Sequence, residues 1–270
     1  MDSVTQPILS TSNLTRAFGD MTAVDHLNLE IAPGEVFGLL GPNGAGKSTT
    51  LKMLTTLLPP TSGTATIAGY DIVRQQAQVR RVIGYVPQAL SADGTLTGYE
   101  NLLIFAKLYD VPRAIRRERI ANALAVMELT DAGNRLVRTY SGGMIRRLEV
   151  AQALLHGPLV LFLDEPTVGL DPVARNAVWE SLSALREQTG MTILLTTHYM
   201  EEADSLCQRV AIMHRGKVAI IGTPDELKQS LDQPDATLDD VFAYYTGHDL
   251  DTGGSYRDVS RGRRAARRLG

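Results

Sequence analysis

One cysteine, Cys207, stands alone among the 270 residues, so an intrachain disulfide is excluded, and nothing around it has metal-ligand spacing. No apolar run approaches the ~18–20 residues of a membrane span. The first residues hold no basic stretch followed by an apolar core, so no secretory signal is expected and the chain is expected to be cytosolic. Positive charge is also lacking. With 27 Lys and Arg against 30 Asp and Glu, the net charge is −3, which gives no footprint for bulk nucleic-acid binding. No internal repeat is visible, and the one biased segment is a run of arginines at 257, 261, 263, 264, 267 and 268. What remains is an ordinary globular balance, 44% hydrophobic and 21% charged, long enough for one large domain or two small ones.

Residues 41–49 organise the rest: Gly41, Pro42, Asn43, Gly44, Ala45, Gly46, Lys47, Ser48 and Thr49. They fit G-x-x-x-x-G-K-[ST]. The apolar run Val36-Phe37-Gly38-Leu39-Leu40 before them reads as a buried strand. Leu51, Met53, Leu54 and Leu58 after them have helical spacing. Between a strand and a helix start, such a loop turns backbone N–H groups and a partial positive charge towards a polyphosphate. Lys47 then faces the β- and γ-phosphates of a nucleotide, and the Ser48 hydroxyl is placed to ligate Mg²⁺.

The surrounding pattern alternates strands and helices, as a parallel sheet with helices on its faces requires. Residues 1–40 read as β-rich, with runs at Ile8-Leu9 and Thr22–Ile31. Strands are expected at 64–68, 83–86, 159–163 and 192–195, and a final pair at 210–213 and 217–221, turning at Arg215-Gly216. Residues 95–155 change character and read helical. Thr97 and Glu100 form a capping box, and Ile115, Ile120, Leu124 and Met127 give the next helix an apolar side, with Arg113, Arg116, Arg117 and Arg119 mostly solvated. The expected fold is therefore α/β: a P-loop NTPase core with a mostly parallel sheet, an N-terminal antiparallel β part and an inserted helical subdomain. One domain would cover 1–248, its core lobe at about 1–88 and 157–235, its helical lobe at about 89–156. The Arg-rich segment 249–270 would be a disordered tail.

Four further stretches carry chemistry. Asp164-Glu165 closes an apolar strand at the edge where open parallel sheets bind ligands. Asp164 can hold Mg²⁺ there, and Glu165 can act as general base on water. Tyr140-Ser141-Gly142-Gly143-Met144 offers an N-cap serine and open N–H groups at a second helix start. Gln88 ends one strand, and His198 follows another within reach of a γ-phosphate. Phe18 lies on a polar turn ahead of the loop, where its ring either stacks on a base or packs in the core.

In this order, the loop, Gln88, Ser-Gly-Gly, Asp-Glu, Gly169-Leu170-Asp171 and His198 resemble the nucleotide-binding subunits of ATP-binding cassette (ABC) transporters, over about residues 8–248. The resemblance implies that 41–49 is Walker A, Gln88 the Q-loop glutamine and a Mg²⁺ ligand, 140–144 the signature, 160–165 Walker B with catalytic Glu165, 169–171 the D-loop and His198 the switch histidine. It also puts Phe18 where the family stacks adenine. Tyr140 and Met144 depart from the broad Leu-Ser-Gly-Gly-Gln signature, but Ser141, Gly142 and Gly143 remain. The signature, the run 162–167 and Leu238-Asp239-Asp240-Val241-Phe242 are most similar to exporters of the daunorubicin-resistance kind. The family implies ATP and Mg²⁺ as cofactors, a homo- or heterodimer in which Ser141 and Asp171 of each chain close the Lys47 site of the other, and a permease partner of about six spans per subunit. It also implies a place at the cytoplasmic face of the membrane. A cassette ATPase acting on a non-transport partner is the alternative.

Overall fold

The computed structural model describes residues 6–231, 233 and 235–247. The Arg-rich segment 249–270, expected to be a disordered tail, lies outside the described residues. Two sheets pack through a shared core. The smaller is antiparallel and runs β2-β1-β5-β6, with β3 on β1: β1 Leu9–Phe18, β2 Met21–Leu27, β3 Glu30–Ile31, β5 Ser62–Ile67 and β6 Tyr70–Asp71. The larger runs β11-β10-β4-β9-β8-β7: β4 Val36–Leu40, β7 Ile83–Val86, β8 Val160–Asp164, β9 Thr192–Thr197, β10 Arg209–His214 and β11 Lys217–Gly222. All its pairings are parallel except β10 with β11, the strand pair expected from the Arg215-Gly216 turn.

The central strands carry near-continuous apolar runs, at 36–40, 160–163 and 193–195, because both their faces are covered. The pleat sends alternate residues to opposite faces. Val36 and Leu40 of β4 and Leu161 and Leu163 of β8 join the core on one face, whereas Phe37, Leu39, Val160 and Phe162 join the core on the other. Phe162 is fully buried, and truncating it to Ala costs about 3–5 kcal/mol. The second core lies under the antiparallel sheet and α1 (Lys47–Leu54). The first lies under α3 (Gly98–Leu108), α4 (Arg113–Val126), α5 (Gly142–Leu154), α6 (Pro172–Thr189) and α9 (Leu238–Thr246).

Helix starts follow the sequence. Thr97 and Glu100 cap α3 reciprocally, and Asp171 caps α6 ahead of Pro172. α8 (Pro224–Gln229) starts the same way, from Thr223 and Glu226. Three elements have no clear sequence signature: β6, α2 (Gln76–Val82) and α7 (Met200–Leu206). They are two to seven residues long, too short for a period to register. Ile115 corrects one expectation, since it is exposed rather than part of the apolar side of α4. It sits five residues before buried Ile120, about 140° away around the helix. Arg116 is half-buried and donates to the Val111 carbonyl at 2.8 Å.

Candidate functional site

Strand register gathers the site. Leu40 pairs with Thr197, Asp164 with Thr196, and Val86 with Leu163. The residues just past these strand ends therefore share the carboxyl edge of the sheet, where open α/β sheets hold ligands. They are the 41–49 loop, Glu165, His198 and Gln88.

The loop is shaped by its glycines. Gly41 has φ +152°, and a Cβ there would come within 2.3 Å of the Met213 carbonyl oxygen, so no other residue fits. Gly46 is the N-cap of α1 and has no side chain to spend on the first N–H groups, which stay available. Lys47 is buried. Its Nζ donates to the carbonyls of Gly41 (2.8 Å) and Pro42 (3.2 Å) and lies 3.3 Å from Glu165 Oε1. Burial lowers its pKa, and the Glu165 carboxylate opposes that shift. Ala45 is buried, Asn43 and Gly44 are exposed, and Pro42, Ser48 and Thr49 are intermediate.

Ser48 Oγ donates to Asp164 Oδ1 at 2.9 Å, and Thr196 Oγ1 donates to the same oxygen at 2.7 Å. Two hard oxygen groups thus meet beside the loop, a donor set that suits Mg²⁺ bridging to phosphate. Glu165 is the hub. Its Oε2 accepts from Gln88 Nε2 at 3.1 Å, and Oε1 faces Lys47 and, at 3.4 Å, His198 Nδ1. The His198 contact is a close approach of the ring nitrogen rather than an aligned hydrogen bond. His198 foremost, with Lys47, holds the Glu165 pKa below the usual carboxylate value against the opposing effect of burial. The Glu165 backbone is left-handed, φ +48°, a strained conformation for a non-glycine residue. Its N–H is fixed by Thr196 Oγ1 at 2.9 Å. The result is an ionised carboxylate at the carboxyl edge of the sheet, beside a cation and an oxygen pair suited to a metal.

The remaining sequence-derived residues stand apart from this hub. Ser141 Oγ accepts from the Met144 N–H at 3.3 Å and caps α5, and Ser141 and Gly142 are exposed. Buried Gly143 lies against Ala174 of α6, and among the described residues no hydrogen bond joins Ser141 to 41–49. Tyr140 is buried and donates to the Ala132 carbonyl at 2.6 Å, so it anchors the turn before the helix. The Asp171 carboxylate accepts from the Val173 and Ala174 N–H groups. Phe18 is 44% exposed, which removes the core alternative, and the Arg16 guanidinium lies 4.5 Å from its ring centroid.

Several residues at this edge carry no motif. Thr196 orients both acidic residues, and only its place at a strand end beside His198 hinted at it. Glu202 of α7 is 1% exposed and accepts from Thr197 Oγ1 at 2.5 Å and from Thr167 Oγ1, tying the segment after Glu165 to the one holding His198. Burial raises its pKa. Arg146 and Glu149 of α5 form a buried pair that reaches the Gln88 segment.

The chain is similar to known proteins over most of its length. The family described as ABC transporter matches residues 24–168. The daunorubicin/doxorubicin resistance ATP-binding protein DrrA of Streptomyces peucetius is 48% identical over 229 residues, 84% of this chain and 69% of that protein. The linearmycin resistance ATP-binding protein LnrL of Bacillus subtilis (strain 168) is 43% identical over 220 residues, 82% of this chain and 70% of that one. Among solved structures, an ATP-binding subunit of an ABC transporter superposes with TM-score 0.77 at 29% identity, covering 88% of this chain and 99% of that one. The cassette MJ0796, a dimer in a post-hydrolysis state bound to ADP and Pi, gives TM-score 0.69 at 29% identity over 80% of this chain and 98% of its own.

Proposed function

Because this chain belongs to the ABC transporter family and is an ATP-binding, ATP-hydrolysing subunit of that family, we propose that it powers export of a drug-like or lipid-like substrate through a separate membrane permease. The observation that carries the chemistry is the meeting of Lys47, Gln88 and His198 on one carboxylate, Glu165, beside the Ser48–Asp164 pair. In this mechanism the loop N–H groups of 41–49 cradle the phosphates, and Lys47 exchanges its Glu165 contact for the β- and γ-phosphate oxygens. Ser48 and Asp164, with Gln88, would hold Mg²⁺, which would offset charge on the phosphates. Glu165, released by Lys47 and ionised as a carboxylate is near neutral pH, takes the proton of the attacking water. His198 steadies the γ-phosphate, and the Phe18 ring stacks on adenine. Ser141, Gly142, Gly143 and Asp171 serve the nucleotide of a second cassette, of the same or a related chain, and closure of the pair drives the permease.

Names of the relatives, resistance to daunorubicin, doxorubicin and linearmycin, support a drug-like substrate. Among the described residues no helix is long and apolar enough to cross a membrane. In this reading the spans belong to the permease, about six in each subunit, and the chain works at the cytoplasmic face of the membrane. A non-transport role is not favoured, since these relatives are named for resistance. Lys47→Ala tests the site: ATP binding, read by equilibrium titration, should be lost or strongly weakened. Unchanged binding and turnover would overturn the phosphate-loop assignment.

A further inference from the structure

α5 is bound to β7 and its continuation at both ends. At its far end His156 Nε2 meets the Ile83 carbonyl at 2.8 Å. At its near end Arg146, 2% exposed, donates from Nη1 to the Pro87 carbonyl (2.7 Å) and from Nη2 to the Gln88 carbonyl (2.8 Å). The same guanidinium donates to Glu149 Oε2 at 3.1 Å, and Glu149 Oε1 accepts from the Ser91 N–H and, at 3.2 Å, its hydroxyl. Between these ends β7 approaches so closely that a Cβ on Gly84 would lie 2.7 Å from the Ala153 carbonyl oxygen. A buried pair of this kind adds little net stability, because desolvation offsets its attraction. What it does fix is geometry: a planar fork satisfies two consecutive carbonyls only in one arrangement.

We propose that Arg146 and Glu149 are positioning residues for Gln88. They clamp residues 87–91 to the helix that begins at Ser141, so that Gln88 and the Ser141–Gly143 helix start move as one unit. Displacement of that helix start then carries the Gln88 amide towards or away from Glu165. The inference rests on the ATPase reading above. It concerns how Gln88 is held, and neither Arg146 nor Glu149 touches the reacting groups.

The test uses the full-length chain. Arg146→Met alone strands a buried carboxylate and can fail to fold, so the decisive variant is Arg146→Met with Glu149→Gln, which removes both charges and keeps an acceptor for the Ser91 N–H. This double variant should keep a KM for ATP within about threefold of wild type, because 41–49 is untouched, while kcat falls roughly 10–10²-fold, the cost of an ångström-scale misplacement. Adding Gln88→Ala to it should lower kcat no further than Gln88→Ala does alone. A folded double variant with normal kcat would overturn the proposal. So would a loss that adds in full to that of Gln88→Ala, since the pair would then act elsewhere. Normal turnover in Glu165→Gln would instead break the underlying site reading and leave the clamp's geometry aside, so the two failures are distinguishable.

Discussion

Two helices in this molecule begin at small, polar, glycine-containing turns, and they are finished differently. α1 starts from Gly46 with no side-chain cap, and the side chains of Ser48 and Lys47 are met by Asp164, which bonds Ser48, and by Glu165, which faces Lys47. α5 starts from Ser141, which spends its hydroxyl on its own helix and stays exposed against α6. The 41–49 loop meets acidic residues of its own chain. The Ser141 helix start presents its N-terminus outward, and among the described residues no hydrogen bond joins it to that loop. The difference is one of neighbours, since both starts have the same local chemistry.

The largest break in that contrast is at the hub. Glu165→Gln should retain ATP binding and slow hydrolysis roughly 10²–10⁴-fold, the usual worth of a general base. Its readout is single-turnover phosphate release, and a near-normal rate would put the base elsewhere. The next test addresses the unfinished helix start. Lys47→Ala and Ser141→Arg homodimers should each be inactive, the second because it puts bulk and charge into the exposed helix start. Mixed, they should recover roughly a quarter of the wild-type rate if chains pair at random and sites act independently. No recovery, with crosslinking between Cys substitutions at the two loops also absent, would mean that each chain holds a complete site.

A smaller effect is expected at the rim. Phe18→Ala should weaken ATP binding by about 2–10-fold, and Phe18→Tyr should not, because stacking needs the ring face and is worth about 0.5–1.5 kcal/mol. Equal losses in both would point away from stacking. The smallest effect belongs to Glu202. Burial raises its folded pKa above the unfolded value, so the wild-type protein loses stability as pH rises through the raised value. Glu202→Gln removes that loss. Its melting temperature relative to wild type should therefore climb as pH rises above the ordinary Glu value. A flat difference would show that burial does not raise the Glu202 pKa in the fold.

The hub residues were legible one by one because each sits at a position with a local signature. Lys47 and Ser48 follow a glycine pattern, Asp164-Glu165 closes an apolar run, and His198 follows another. Strand identity was legible for the same reason: strands covered on both faces carry near-continuous apolar runs, and 36–40, 160–163 and 193–195 show it. Short elements such as β6 and α7 were not, since a few residues cannot show a period.

By itself, then, the sequence determined which residues could do chemistry and which segments must be buried, because glycine patterns, capping residues and hydrophobic periodicity are local properties. Tertiary structure alone decided who meets whom. That Asp164 pairs with Thr196 across β8 and β9, that Glu165 takes a left-handed backbone among Lys47, Gln88 and His198, and that Phe18 is outside the core are outcomes of strand register and packing. Arg146 and Glu149 make the point most sharply. In sequence they are two charges three apart on a helix, which normally reads as a solvated face. In the fold they are buried, because α5 lies against β7 and only a side chain as long as arginine reaches the free carbonyls beyond its end.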